Sequence, residues 1–583
     1  MKNRIVIIII TLLLVIVGGY FGYEHIKEEY PSAFRVQITS DGHTEYVDYW
    51  EGPDGNIYVF LPGYVAYEDA VIALETSNDV YVGGQLLEDG MSCSAFEKDC
   101  FYEFSYTSWG HKYSYRIMFM QSANVATLYV DTASGNMDYI HEAKGKEESG
   151  EMVLYAADGA LNYEGKIDSI KGRGNDTWNN YMKKPYSLKL EAGADLLNMG
   201  TAEKWILLAN AKDASNLNNK IVFDFADRIG LAYTPDAEWV DVYLNNEYAG
   251  LYLLSERIEI GENRVNITPV SEDLDCSYIV SQEIKERIYN KEIARFETQY
   301  GLGFGVHEPE EITGLQLNEV ALQFLIAENG IMAENDIDGW SGTHYADAID
   351  VDSWARKYMV EEIFMNADAG HGSQYFYYDS QSEGTKIYAG PVWDYDNALA
   401  VQQIASPETL LANREYANRE GYTPWLYHLY QKEDFYGEIV RLYREEFKAE
   451  LQYLQGTQLP AYVAQIKASA KMNDARWFPG TENLFEQETE AIYEFLERRV
   501  AFLDRVWLDN MQYYTVSVET GVDSFYLYYT VPTEENRMEM PVLPEQEGLR
   551  FAGWYRADTN EPFDPEQPIT GDMHIYAKWE ATE

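Results

Sequence analysis

Two clusters in the middle of the chain carry residue types at spacings suited to chemistry on phosphates. The first reads Lys171-Gly172-Arg173-Gly174-Asn175-Asp176-Thr177-Trp178 and resumes as Lys183-Lys184-Pro185-Tyr186-Ser187-Leu188-Lys189-Leu190. Glycines let backbone N–H groups approach an anion closely. The second half alternates as a strand, with Tyr186, Leu188 and Leu190 on one face and Lys184 in register with them. A lysine on an apolar face needs an anionic partner. A nucleotide phosphate would serve, with Arg173 beside it; so would a carboxylate such as Glu256.

The second cluster is Asn366-Ala367-Asp368, then Gln374-Tyr375-Phe376-Tyr377-Tyr378, Lys386-Ile387-Tyr388, and Pro391-Val392-Trp393-Asp394-Tyr395-Asp396-Asn397. The pattern predicts a helix ending just before Asp368, a strand, a polar turn over 379–384 and a returning strand. A hairpin brings its ends together, so Asp368, Gln374 and Asp394 should converge, with Asp396 close by. Phosphoryl transfer uses this order: one carboxylate accepts the hydroxyl proton, and an amide and further carboxylates hold Mg²⁺ on the phosphates. The competing reading is a loop of surface acids. Pro391 and Trp393 argue against it, because they imply a partly buried site.

The elements that position these clusters are mixed in type. Trp205 to Ala209 reads as a buried strand, and Asp213 to Ile229 as a helix capped by Asp213 or Ser215, with Gly230 past its end. Trp239–Leu244 and Tyr248–Leu254 flank Asn245-Asn246, a pair that tolerates the positive φ of a tight hairpin turn. Asp352 is expected to cap a helix running to about Met365. Residues 433–451 and 481–507 read as amphipathic helices. Before this region, 34–38, 56–60 and 126–130 read as short strands of a β-rich module without evident chemistry.

Lys171–Trp178, Lys184–Leu190, Lys204–Ser215, Tyr243–Glu256 and Trp393–Asn397 together resemble the CotH protein kinase family. The resemblance implies an α+β fold with an atypical, minimal kinase-like domain. It also implies transfer of the ATP γ-phosphate to serine or threonine of a protein, with Mg²⁺ or Mn²⁺. Carried over by position, Asp368 matches the catalytic aspartate, Asp394 the metal-binding aspartate and Lys184 the phosphate-binding lysine, with Glu256 as that lysine's partner. Gln374 and Asp396 are expected to join Asp394 at the metal, and Arg173 to join Lys184 and Glu256 at the nucleotide. Two positions depart from the pattern: Gln374 stands where asparagine is expected, and Asn218 where arginine is frequent. A non-catalytic surface adhesin or scaffold with the same fold is the second reading. A hydrolase with paired acids is the third, and it leaves Lys184 and the glycine turn unused.

The last 70 or so residues resemble an internalin B-type repeat: alternating strands over 514–518 and 524–529, Phe551-Ala552-Gly553-Trp554, and a closing Met573-His574-Ile575-Tyr576-Ala577-Lys578-Trp579. That resemblance implies a small β-grasp-like module in contact with a cell wall. The expected division is 1–23 anchor or uncleaved signal, 30–120 β-rich module, 121–510 kinase-like domain and 513–583 repeat.

At the amino end Lys2 and Arg4 precede an apolar run from Ile5 to Val17 that stays uncharged to Tyr23. That length nearly spans a bilayer, and the leading positive charges place the bulk of the chain outside the cell. A cleaved signal, giving a secreted protein, is the rival. The 583 residues carry 97 acidic against 44 basic side chains, a net charge of -53. Such a field repels phosphate backbones, so nucleic acid is excluded as a partner, and it favours a cationic protein substrate such as a serine in a Lys/Arg-rich segment. With 46% hydrophobic residues the chain has ample core material, which excludes a disordered protein. Cys93, Cys100 and Cys276 form no CxxC pair, so a structural zinc site is not expected. Cys93 and Cys100 are close enough in sequence for a local disulfide.

Overall fold

The computed structural model describes residues 33–40, 42–108, 111–269, 274–283, 293–366, 368–370, 372–382, 384–399, 406–413, 424–481, 483–522 and 526–582. The expected anchor, 1–23, lies outside them. Among the described residues no helix is long and apolar enough to cross a membrane.

The amino-terminal module is built of strands, as its alternation predicts. One sheet pairs Phe34–Ser40 with His43–Asp48 and Val71–Leu74, and a second runs Trp50–Glu51, Asn56–Leu61, His111–Gln121, Phe101–Ser108, Val80–Val82, Gln85–Leu86. Inward residues such as Val36, Ile38, Val59 and Phe119 are fully buried. The module is seated on the next domain through aromatic rings. Phe60 meets Tyr248 with ring centroids 4.9 Å apart, Tyr64 stacks on Tyr155 at 4.3 Å, and Tyr243 Oη donates to the Phe60 carbonyl at 2.9 Å. The three cysteines are free thiols, so the anticipated Cys93–Cys100 disulfide is not formed. Cys93 is buried in this core, and desolvation pushes its thiol up to about 12.

The second domain opens with a closed barrel. Its strands run in the order Ala126–Thr132, Glu147–Tyr155, Leu161–Gly172, Tyr186–Asp195, Thr201–Leu208, Glu247–Glu256, Ala237–Leu244. Closure is a parallel pairing of Ala126–Val130 with Val240–Leu244. Leu128, Ile170, Leu188, Trp205, Val242 and Leu254 fill the interior. Asn245 and Asn246 turn the expected hairpin with φ of 50° and 71°.

Beside the barrel stands a five-stranded sheet ordered Arg295–Glu297, Gly303–Glu308, Tyr278–Glu283, Gln374–Tyr378, Tyr388–Ala389. The helices Asn218–Arg228, Gly314–Met332 and Val351–Phe364 share one large core with it and with the later helices Leu459–Trp477 and Leu484–Trp507. Two boundaries differ from the sequence reading. The first of these helices starts at Asn218 rather than Asp213, because Asp213 and Ser215 form the turn before it. There Asp213 accepts the backbone N–H of Ser215 at 2.9 Å and of Asn218 at 2.8 Å. The cap of Val351–Phe364 is Asp350, which accepts the Ser353 N–H at 2.9 Å; Asp352 pairs with Arg356 instead. Met365, in the left-handed region at φ 48°, ends that helix and turns the chain toward Asp368.

The carboxy-terminal strands form a separate four-stranded sheet in the order Tyr526–Pro532, Tyr513–Glu519, Met573–Ala581, Leu549–Arg556. It has its own core of Val516, Val518, Val531, Trp554, Ile569 and Ile575. This sheet also touches the main body. The Leu410 N–H donates to Thr530 Oγ1 at 3.0 Å, and Arg505 pairs with Glu535 at 2.7 Å.

Candidate active site

A cleft of about 640 Å³ opens between the barrel and the five-stranded sheet. The glycine turn 172–177 and the strand ends near Ser187 and Lys204 form one wall; Asp368, Ser373, Tyr375, Trp393, Asp394 and Asp396 form the other. Both sequence clusters therefore face one space, although roughly two hundred residues separate them in the chain.

The glycines of the turn have steric reasons to be there. A Cβ on Gly172 would sit 2.1 Å from the Trp178 ring, and Gly174 holds φ at 79°. Lys144 steadies the turn by donating to the Gly174 carbonyl at 2.9 Å and to Asn175 Oδ1 at 2.7 Å. Arg173 reaches across the cleft, its guanidinium 5.4 Å from the Trp393 ring centre. Burial lowers its pKa, an effect that the charge of Asp394 opposes.

On the opposite wall the acids are tied together across two loops. Asn397 Nδ2 donates to Asp368 Oδ2 at 2.9 Å, and Ser373 Oγ donates to Asp394 Oδ2 at 2.8 Å. Ser373 and Asp394 both occupy the left-handed region, at φ 54° and 68°. Asp396 is 9% exposed. Burial, and then the neighbouring Asp394 charge, push its carboxyl well above the usual range, while Lys212 pulls it down. Lys212 itself bridges to Asp176 of the opposite wall at 2.9 Å. Burial disfavours its charge, but Asp396 and Asp176 outweigh that and raise its pKa.

Of the residues singled out in the sequence, Arg173, Asp368, Asp394 and Asp396 line the cleft, whereas Lys184, Glu256 and Gln374 do not. Lys184 donates to the Trp178 carbonyl behind the turn, where burial lowers its pKa. It does not pair with Glu256. That carboxylate is held by Arg264 and by the Asp236 N–H at 3.0 Å, and burial pushes its pKa up to about 7. The Gln374 amide is turned into the core, where it accepts from Lys357 Nζ at 3.0 Å and donates to the Gly372 carbonyl at 3.2 Å. Strand alternation explains this: Ser373 and Tyr375 face the cleft, so Gln374 between them faces inward. Lys212, Ser373 and Asn397 belong to the site but escaped the sequence reading. Lys212 and Asn397 sit inside motifs that carried the family resemblance.

The donor set can be tested against a divalent metal. Among the described residues no three His, Cys, Asp or Glu side chains are gathered closely enough to enclose an ion by themselves. Mg²⁺ is usually held by one or two carboxylates together with substrate phosphates, and hard oxygens suit it. Asp394 and Asp396, crowded and facing an open cleft, fit that requirement. The volume is also within the range of small-molecule sites.

A family model described as CotH kinase protein matches residues 170–503, a span that begins at the glycine turn and contains every lining residue named above except Lys144. No curated protein matches the chain.

Proposed function

The chain belongs to the CotH kinase family, and from that membership and its cleft we propose that it transfers the ATP γ-phosphate to serine or threonine of a protein. The observation that carries this reading is the convergence of Asp368, Asp394 and Asp396 opposite the Arg173 turn in one cleft.

Each residue has work consistent with its surroundings. Asp368 accepts the proton of the acceptor hydroxyl, with its Oδ2 steadied by Asn397. Asp394 and Asp396 would hold a divalent cation, which would neutralise charge on the phosphates. Ser373 fixes one oxygen of Asp394. Arg173 and Lys212 stand on the phosphate side, and Trp393 under Arg173 narrows the cleft against water.

We further place the protein at the cell surface, anchored through residues 1–23, with the carboxy-terminal sheet as a B-type repeat contacting the cell wall. Exposed Phe551 and the repeat-like sequence support that part. The proposed acceptor is a serine flanked by Lys or Arg, because a net charge of -53 draws cationic peptides.

One observation favours the scaffold reading. Gln374, at the place of an amide metal ligand, is committed to Lys357 and Gly372. Calorimetry on residues 30–583 separates the two. A kinase binds ATP only with Mg²⁺ or Mn²⁺, because its acids and the phosphates repel without the metal. Equal binding in EDTA, or none at millimolar ATP with metal, supports the scaffold.

A further inference from the structure

Behind the cleft, outside its lining, lies a closed network of polar side chains. Glu361, on the last turn of Val351–Phe364, is 1% exposed. Its Oε1 accepts from Tyr395 Oη at 2.7 Å and from Lys357 Nζ. Its Oε2 accepts from Asn366 Nδ2 at 2.7 Å, and its backbone carbonyl accepts the Asn366 N–H at 3.1 Å. Lys357 completes the ring by donating to Tyr395 Oη at 2.8 Å and to Gln374 Oε1 at 3.0 Å.

The two arms of this network end at the two sides of the site. Asn366 passes the contact on: its Oδ1 accepts the backbone N–H of Asp368 at 3.1 Å. Tyr395 stands between Asp394 and Asp396 and is fully buried. Its N–H is held by Asn219 Oδ1 at 2.8 Å, which anchors that loop to the helix Asn218–Arg228. One carboxylate thus holds the loop bearing the acceptor-side acid and the loop bearing the metal-side acids. Polar networks of this kind, when every member is satisfied, specify a single arrangement.

We propose that Glu361 is a positioning residue, which sets Asp368 at a fixed separation from Asp394 and Asp396. The proposal rests on the kinase reading for the roles of those acids, but the coupling between the loops is a property of the chain alone. A purely structural role would predict something different: losing a bond on one arm would loosen that arm and leave the other as it was.

The test uses the full chain and hydrogen exchange read by mass spectrometry, without nucleotide. Tyr395→Phe removes one hydroxyl and keeps the ring, so the fold is expected to persist. The expected result is faster exchange over 366–372, on the far arm, by on the order of tenfold, with 149–155 of the barrel unchanged. Unchanged exchange over 366–372 overturns the coupling, and so does an equal rise in the barrel. Asn366→Ala tests the other direction, with 391–399 as the reporter and the same two outcomes. Phosphotransfer supplies a second readout. If Glu361 couples the arms, the double variant loses no more kcat than the worse single one; multiplied losses overturn the proposal. A wild-type chain without turnover sinks the kinase reading, while the exchange experiment still decides the coupling.

Discussion

Asn397 and Asp368, 29 positions apart in the chain, are joined by a hydrogen bond of 2.9 Å between amide and carboxylate. The reciprocal bond runs from Ser373, on the Asp368 side, to Asp394, on the Asn397 side. Each loop therefore contributes one acid and one neutral donor that fixes the other loop's acid. Changing an acid and changing its donor should have separable effects.

Asp394→Asn is expected to abolish metal-dependent ATP binding, whereas Asp368→Asn should spare binding and remove turnover by roughly a hundredfold or more. Calorimetry and radiolabelled phosphotransfer check the pair. Equal loss of ATP affinity in both would show that the two roles are wrongly assigned.

Arg499 and Glu362 are both 0% exposed and pair at 2.6 Å. Glu362 also accepts the N–H groups of Leu411 and Ala412, and Arg499 donates to the carbonyls of Pro407 and Thr409. Arg499→Met leaves a buried carboxylate unpaired and is expected to cost about 3–5 kcal/mol. Adding Glu362→Gln should recover part of the loss. Urea unfolding of the single and double variants measures it, and a single variant within about 1 kcal/mol of wild type would refute the argument.

Glu328 has 0% exposure, and its Oε1 accepts from Thr298 Oγ1 at 2.9 Å and from Trp425 Nε1 at 3.3 Å. Burial pushes its carboxyl up to about 7, above its ordinary 4.5. Between those values the folded chain binds the extra proton, so stability falls as pH rises from about 4.5 to 7 and stays low above. Glu328→Gln should remove that share of the slope and raise the melting temperature at pH 8 relative to wild type. Parallel melting curves from pH 5 to 8 would disclose a slope that the variant fails to reduce.

Deleting 513–583 removes Thr530, which caps the Leu410 N–H. The sheet's separate core lets the remaining chain fold, but 406–413 should become more open to protease, with a fall of a few degrees in melting temperature. Thr530→Val should reproduce about 1 kcal/mol of it. Identical digestion of 406–413 in all three chains would mean that the contact is idle.

How much of this was legible in the sequence depended on the range of the cause. Local signals worked: Asn245-Asn246 turned its hairpin, and Met365 ended its helix within a residue of the expected place. The acids were legible because a hairpin joins its own ends. Lys184 and Gln374 miss the cleft for different reasons. Lys184 precedes the strand Tyr186–Asp195 and turns back to the Trp178 carbonyl, so the alternation of that strand does not reach it. For Gln374, alternation says which residues share a face but not which face meets the cleft, and the Lys357 network holds its amide on the inner one. Asp352 lost the cap to Asp350 because two acids near a helix start look alike until Ser353 chooses one.

The parallel pairing that closes the barrel also dictates the order in which the chain can be finished. Ala126–Thr132 finds Glu147–Tyr155 soon after both leave the ribosome, yet its other edge waits for Val240–Leu244. Until then it is an open strand edge, a template for mispairing with other chains. The amino-terminal module cannot settle earlier either, since Phe60 docks on Tyr243 and Tyr248 of that same late hairpin. A chain cut short before Leu254 would therefore leave both domains unsealed and prone to aggregate. Changes that slow the turn at Asn245-Asn246 should show up first as lost yield during biosynthesis, before any loss appears in the activity of the molecules that survive.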